Sequence, residues 1–248
     1  MISGNALLET MIDELNDIGL PVMASTLEAL YRSPDFLNKD RLTLIADMIG
    51  PEYEEKISKR INNRLKAANL QGSPEDINLC LDTTERKYLP DGIIQVLSSM
   101  DFVDEGFNIC VLGASDAGKS YLAKALGIKA CNDYRVGYYH CEELLEEMSA
   151  LKLKDYDKFR SRLKSMMNLD LVILDDFLLH TITEEREIKV LFDLLEKRNE
   201  KKKSTIICSQ RDPDNWAPMI MNDVISANSI LKRATKHYTV IIEHTDKS

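Results

Sequence analysis

The stretch of this sequence that says most about its fold is the loop Gly113-Ala-Ser-Asp-Ala-Gly-Lys-Ser120. It matches the pattern Gly-x-x-x-x-Gly-Lys-Ser/Thr, in which glycines let a loop wrap around a phosphate group. An apolar stretch of strand length, 107–112, precedes the loop, and a helix-forming stretch, 121–126, follows it. Because this strand–loop–helix order is the context in which the pattern binds phosphate, the sequence predicts an α/β fold with a nucleotide site.

The chemistry of the loop follows from its place at the start of a helix. Free backbone N–H groups and the positive end of the helix dipole attract anions there. The predicted nucleotide contacts are Gly113, Ala114, Ser115, Asp116, Ala117, Gly118, Lys119, Ser120 and Tyr121. We expect the Lys119 ammonium to reach the β- and γ-phosphates and the Ser120 hydroxyl to bind Mg²⁺. ATP and Mg²⁺ are therefore the predicted cofactors.

Composition excludes several other classes of protein. With 44% hydrophobic and 29% charged residues, the chain is typical of a folded protein rather than a disordered one. A net charge of −9 argues against a protein coated with nucleic acid, but it allows a local basic track. The five cysteines are scattered, so we expect buried free thiols rather than disulfides or a zinc site. No signal-peptide pattern and no long apolar run is present, which predicts a cytoplasmic protein without membrane contact.

Two domains are predicted. Residues 1–72 carry apolar side chains at helical spacing and are expected to form a small all-helical domain. Within it, Gly50-Pro51 predicts the end of one helix and the start of the next. The polar stretch 71–76 is rich in turn-forming residues and is the predicted linker, so residues 73–248 form the second domain.

The second domain alternates strand-like and helix-like stretches from residue 107 onwards. This alternation predicts a parallel sheet of five strands with helices on both faces, a three-layer αβα sandwich. The predicted strands are 107–112, 136–140, 170–175, 204–209 and 238–243. Ligands of such sheets bind at the carboxyl ends of the strands. We expect residues 73–106 to pack against this domain without completing its catalytic site.

Polar side chains follow two of these strands at their carboxyl ends. Asp175, the last residue of its strand, is predicted to hold Mg²⁺ through the water shell of the ion, beside Ser120, and Asp176 is the predicted general base for an attacking water. Ser209 and Gln210 end the next strand, where a polar group can orient that water or sense the γ-phosphate. Gln210 is the stronger candidate, because its amide both donates and accepts hydrogen bonds. The alternative for each pair is a strand that simply reaches solvent.

Two helical stretches carry an excess of positive charge, one before residue 70 and one before residue 170. Basic side chains grouped on one face contact nucleic-acid phosphates, which makes these residues candidate DNA contacts. The candidates are Lys56, Lys59, Arg60, Arg64, Lys154, Lys158, Arg160 and Arg162. A solvated helix surface is the alternative for the first stretch.

Arg233 lies near the end of a predicted helix over 222–233. Spacing alone leaves two interpretations open for it. It is either a surface residue or an arginine finger, which one subunit supplies to the nucleotide of its neighbour.

Taken together, these residues resemble the IstB family, the ATP-binding helper proteins of insertion-sequence transposition. More distantly, they are similar to the DnaC helicase loaders and DnaA initiators, all of the AAA+ class. The resemblance covers nearly the whole chain. The segments that carry it are 20–30, 102–113, 208–210, Trp216, Asp223 and 230–233.

The resemblance implies an AAA+ P-loop ATPase in which Ser209 and Gln210 occupy the first sensor position. It also implies that Arg233 is an arginine finger acting in trans and that the basic helices before Asp170 contact DNA. We expect no C-terminal helical lid. The site would then be completed by a neighbouring subunit in a homo-oligomeric ring or spiral.

Three residues depart from the family pattern. Asp116 stands where many relatives have glycine, and its carboxylate would repel phosphates unless it points away. Asp176 stands where many AAA+ proteins have glutamate, which shortens the reach to the water. Lys232 replaces the usual aspartate before the finger. None of these changes removes a required group, although slow hydrolysis is expected.

The function implied is an ATP-dependent, DNA-binding regulator of transposition that oligomerises on DNA and recruits or activates a transposase. A DnaC-like loader of a replicative helicase is the alternative. A P-loop kinase for a small molecule is a weaker alternative, because no arginine-rich lid follows residue 212.

Overall fold

The computed structural model describes residues 4–82, 84, 86–221 and 224–244. They form two compact units, divided between residues 63 and 64. The sequence placed the domain boundary between residues 72 and 73. Ala68 and Leu70 are buried in the core of the second unit, which is why the second unit begins before the predicted linker.

The first unit is helical, as the sequence predicts. Its helices are α1 (Gly4–Asp17), α2 (Pro21–Arg32) and most of α3 (Arg41–Ala67), whose last residues belong to the second unit. The buried carboxylate of Glu52 on α3 accepts a hydrogen bond of 2.9 Å from the backbone N–H of Met23 on α2. The predicted helix break at Gly50-Pro51 is wrong, since Pro51 lies inside α3. A proline removes one backbone hydrogen bond of a helix, and the turns on either side of this one continue.

The second unit alternates strands and helices. Its elements are β1 (Arg86–Leu89), α4 (Ile93–Ser98), α5 (Asp101–Asp104), β2 (Ile109–Leu112), α6 (Lys119–Ala130), β3 (Val136–His140), α7 (Cys141–Lys154), α8 (Tyr156–Met167), β4 (Leu171–Asp175), α9 (Glu185–Glu200), β5 (Ser204–Ser209), α10 (Val224–Ala234) and β6 (Tyr238–His244). The described residues contain no helical lid beyond β6.

One sheet of six strands organises this unit, in the order β1-β6-β2-β5-β4-β3. The five predicted strands are all present and run parallel to one another, which confirms the α/β fold. The sixth strand, β1, was missed, and it pairs antiparallel with β6 at the edge of the sheet. Its sequence, Arg-Lys-Tyr-Leu, is short and charged, as is common for edge strands, and this gives little strand signal.

Both faces of the sheet are covered, which gives the predicted three layers. Along β4, Leu171 and Ile173 pack into one core with α6, whereas Val172 and Leu174 pack into the other core with α7 and α9. A strand buried on both faces is apolar throughout, which explains why the apolar run of β4 predicts a strand. All five cysteines are buried and free, as expected. Within the described ranges, no helix has the length and apolar character needed to cross a bilayer.

A buried arginine on α9 forms hydrogen bonds with three neighbouring elements of the sheet and its helices. Arg198 of α9 is fully buried, and its guanidinium donates hydrogen bonds to four oxygen atoms. These acceptors are Met166 O, Leu169 O, Ser204 O and Thr205 Oγ1. The planar, five-donor guanidinium therefore joins the end of α8 to the starts of β4 and β5.

We expect Arg198→Leu to destabilise the protein by about 3 kcal/mol and to lower Tm by roughly 6–12 °C, because it leaves buried carbonyls without donors. Arg198→Lys keeps the positive charge but lacks the planar set of guanidinium donors, so we expect a smaller loss of unfolding free energy than for Arg198→Leu. Thermal and urea unfolding of both variants measures this. A loss below about 1 kcal/mol for Arg198→Leu would contradict the role assigned to the arginine.

Candidate nucleotide-binding site

The predicted phosphate loop joins β2 to α6 at the carboxyl edge of the sheet. Asp116 and Gly118 adopt left-handed backbone conformations, with φ of 58° and 102°, and Gly118 directly precedes the helix. Gly113 lies against β6, where an added Cβ would be 3.0 Å from the Ile242 carbonyl oxygen. A side chain is therefore disfavoured at position 113 by the close carbonyl oxygen and at position 118 by the left-handed backbone. The loop curls tightly around the N-terminus of α6, which is the arrangement that presents backbone N–H groups to an anion.

Lys119 is the first residue of α6, and its ammonium folds back over the loop. The residue is 5% exposed, and its Nζ donates a hydrogen bond of 2.6 Å to the Ala114 carbonyl oxygen. Burial lowers the pKa of Lys119, and the nearby charges, including those of Asp175 and Asp176, act in the opposite direction. The charges of the two acids therefore favour the protonated, cationic form of the loop lysine.

Asp116 is exposed in the loop, and its charge also acts on Lys119. We expect Asp116→Gly to raise ATP affinity about threefold to fivefold, or about 0.6–1 kcal/mol, because it removes a carboxylate beside the phosphates and fits the left-handed backbone. Asp116→Asn separates the two causes, since asparagine removes the charge and still tolerates this conformation. Binding of ATP at low and high salt measures the effect. Unchanged affinity in both variants would show that the carboxylate points away.

Asp175 and Asp176 lie at the end of β4 in different environments. Asp175 is 1% exposed, and its Oδ2 accepts a hydrogen bond of 2.5 Å from the Tyr138 hydroxyl. Its Oδ1 accepts a hydrogen bond of 3.0 Å from the backbone N–H of Asp176. Asp176 is 37% exposed, has a φ of 52°, and lies 3.5 Å from His140 Nδ1. The first acid is thus held rigidly, whereas the second is open to water, which suits the two predicted roles.

The donor atoms present at this edge fit a magnesium ion. Mg²⁺ prefers carboxylate, hydroxyl and water oxygens. Ser120 is the second residue of α6, and the ligand atoms of His140, Asp175 and Asp176 lie within 4.8 Å of one another. Ser120 and Asp175 would hold the ion, and it would supply charge neutralisation to phosphate oxygens.

The end of β5 lies between the phosphate loop and the two acids, because β5 is the strand between β2 and β4. Gln210 is exposed at this point. The Ser209 hydroxyl is fully buried and donates a hydrogen bond of 3.0 Å to the Phe177 carbonyl oxygen. The structure therefore leaves Gln210 as the side chain available to a nucleotide. Ser209 instead anchors the turn that follows Asp176.

Arg233 is held within its own chain. Its guanidinium contacts the Glu196 carboxylate and donates a hydrogen bond of 2.6 Å to Ser229 Oγ. It also lies 5.4 Å from the centre of the Phe192 ring, and its side chain is 19% exposed. A role in trans remains a prediction, and it requires the arginine to leave Glu196. Asn222 and Asp223 of the predicted helix lie outside the described residues.

The eight candidate DNA contacts differ in how free they are. Five are engaged: Lys56, Lys59, Lys158 and Arg162 pair with acids, and Arg64 donates to the carbonyl oxygens of Cys131 and Asn132. The other three, Arg60, Lys154 and Arg160, are exposed and form no ion pair with a described residue. They are the members of the set most available to phosphates.

Sequence reasoning missed three side chains near the site. Tyr138 and His140 follow each other at strand spacing, and β3 ends at the same edge as β4, so the rule on carboxyl ends was the available signal. Burial, then the hydrogen bond and charge of Asp175, raises the pKa of Tyr138, so the phenol stays a donor. Arg86 of β1 covers the loop, with its Nε 2.9 Å from a Cβ placed on Gly118. No local signal pointed to Arg86, and it brings the stretch 73–106 to the loop itself.

The fold and this site define a P-loop protein of the AAA+ class. The replication initiator DnaA bound to AMPPCP and single-stranded DNA superimposes with a TM-score of 0.57 at 19% identity, over 71% of this chain and 52% of that one. DnaI gives a TM-score of 0.52 at 22% identity, over 62% of this chain and 87% of that one. These similarities concern the fold alone.

Sequence comparison gives the family. A family model for IstB-like ATP binding protein matches residues 13–248. An insertion sequence ATP-binding protein of Sinorhizobium fredii is 30% identical over 90% of this chain and 88% of its own length. The ATP-binding protein of insertion sequence IS21 from Pseudomonas aeruginosa is 29% identical over 77% of this chain and 69% of its own. The chain belongs to the IstB-like ATP-binding proteins.

Proposed function

We propose that this protein is an ATP-dependent regulator of DNA transposition, an AAA+ ATPase that assembles on DNA and recruits or activates a transposase. The observation that carries the proposal is the meeting of the phosphate loop, the two acids at the end of β4 and Gln210 at one sheet edge, in a chain of the IstB-like family. The loop accounts for nucleotide binding. The acids and the amide supply the groups that hydrolysis requires.

Each residue has a separate task in the proposed reaction. Lys119 and the loop N–H groups hold the β- and γ-phosphates, while Ser120 and Asp175 hold Mg²⁺. Asp176 accepts the proton of the attacking water, and Gln210 orients that water. Arg233 of a neighbouring subunit completes the site, so that hydrolysis depends on assembly.

The proposed DNA contacts are basic side chains that form no ion pair within the described part of the chain. Arg60 lies on α3, and Lys154 and Arg160 lie on α7 and α8. Each phosphate contact contributes about −0.9 to the slope of log affinity against log salt. We therefore propose that removing Lys154 and Arg160 together flattens this slope by about two, whereas removing the ion-paired Lys189 of α9 leaves it unchanged.

The decisive experiment combines turnover with assembly. We expect Mg²⁺-dependent ATP hydrolysis by the purified full chain, faster with duplex DNA than without it. Size measurements should show a larger species with ATP and DNA than with either alone. Asp176→Asn should bind ATP and assemble without turnover, which separates binding from chemistry. A chain that stays one size in all conditions would contradict the proposal of a shared site.

The partner protein that the chain binds distinguishes a transposition regulator from a helicase loader. With ATP present, we expect co-elution with the transposase of the same element and not with the replicative helicase of the source cell. The opposite result would make the protein a loader while leaving the ATPase site unaffected. Phosphorylation of a small acceptor would instead indicate a kinase.

A further inference from the structure

The carboxylate of Asp175 is gripped by a tyrosine from the neighbouring strand. Tyr138 of β3 is 6% exposed, and its hydroxyl lies 2.5 Å from Asp175 Oδ2. The other carboxylate oxygen, Oδ1, accepts the backbone N–H of Asp176 at 3.0 Å. Both oxygens of this acid therefore have a fixed donor, and rotation of the carboxylate would break at least one of the two bonds.

The tyrosine is itself held in place from several directions. Its backbone N–H donates a hydrogen bond of 3.1 Å to the Ala68 carbonyl oxygen, and its Cα is in register with that of Ile173. The Lys124 ammonium of α6 lies 5.3 Å from the ring centre, and the His140 ring meets it edge-on at 5.5 Å. Because the ring is restrained in this way, its hydroxyl holds the Asp175 carboxylate in one orientation.

We propose that Tyr138 is a positioning residue that orients Asp175 as a ligand of Mg²⁺. The inference rests on the proposed function, since it takes Asp175 as the metal ligand at an ATP site. Ligating carboxylates are themselves hydrogen-bonded, and loss of such an outer partner typically reduces metal affinity by about 10-fold to 100-fold. Tyr138 donates its hydrogen bond to Asp175 from the neighbouring strand. The pairing of β3 with β4 therefore influences the affinity of the site for Mg²⁺.

The test uses two matched substitutions on adjacent residues. Tyr138→Phe removes the hydroxyl that holds Asp175. Tyr139→Phe removes the same atom from the opposite face of β3, where Tyr139 packs against the other core beside Arg162. Binding of ATP carrying a fluorescent methylanthraniloyl group is measured in EDTA and then during titration with Mg²⁺, for the full chain and both variants.

We expect Tyr138→Phe to keep the metal-free nucleotide affinity of the unchanged protein and to need about 10-fold or more Mg²⁺ to reach half of the metal-dependent gain. Tyr139→Phe should match the unchanged protein in both respects. Thermal unfolding in metal-free buffer checks that each variant is folded.

Two results would overturn the inference. One is a Mg²⁺ midpoint for Tyr138→Phe within about twofold of the unchanged protein. The other is an equal loss of nucleotide affinity with and without metal, which would mean that the hydroxyl supports packing only. Failure of the proposed function looks different, because the unchanged protein itself would then show no Mg²⁺-dependent ATP binding.

Discussion

Lys119→Ala is expected to lower ATP affinity about 100-fold, or about 2.7 kcal/mol, and to reduce turnover by a further two to three orders of magnitude. The ammonium is buried beside the loop, where it donates a hydrogen bond to the Ala114 carbonyl oxygen and is influenced by the charges of Asp175 and Asp176. A bound nucleotide would replace that carbonyl with phosphate oxygens, and hydrogen bonds between charged groups are the strongest kind that the site can form. Calorimetric binding and steady-state hydrolysis measure the two effects.

Lys129→Ala is the matched control for this variant. It removes the same charge from the last turn of the same helix, away from the loop. We expect it to bind and hydrolyse ATP normally. If both lysine variants lost affinity alike, the effect would arise from net charge or from helix stability, and Lys119 would not be the phosphate contact.

Arg233→Ala is expected to leave ATP binding within about twofold of normal and to lower turnover about 1000-fold, the scale on which arginine fingers act. The residue lies on α10, with its guanidinium bound to Glu196 and Ser229. Within one chain it is therefore a partner of α9, and it would serve a nucleotide only after release. Binding and turnover measured on the same preparation separate the two steps.

Mixing two inactive variants tests the role in trans directly. Asp176→Asn lacks the general base but keeps the finger, and Arg233→Ala lacks the finger but keeps the base. We expect turnover to reappear when the two are mixed, because a site formed between them holds both groups. A mixture as inactive as its components would refute a finger supplied by a neighbour.

Glu196→Gln separates the finger from the internal ion pair. If Arg233 matters only because it joins α9 to α10, this substitution should reduce turnover and stability as Arg233→Ala does. If the arginine acts on the nucleotide of a neighbouring subunit, weakening its ion pair with Glu196 should leave turnover unchanged or increase it. Unfolding measurements on both variants show how much of the effect is structural.

Pairing across the sheet decides several features that periodicity does not reveal. The strand β1 was missed because its four residues alternate weakly and carry two charges, yet β6 offers it a free edge and Arg86 thereby reaches the phosphate loop. Gly50-Pro51 predicts a helix boundary, whereas α3 continues through Pro51. A proline in a helix costs one backbone hydrogen bond, and the packing of the rest of the helix can compensate for that loss. Prediction from single residues does not take this packing into account.

Short-range patterns of a few residues were enough to predict the phosphate loop, the five parallel strands and the polar residues at their carboxyl ends. Two contacts are visible only in the folded chain: the hydrogen bond from the Tyr138 hydroxyl to Asp175, 37 residues further along, and the ion pair between Arg233 and Glu196. Such contacts join elements through strand order and register. A linear pattern names the residues able to do chemistry, and the sheet determines which of them meet.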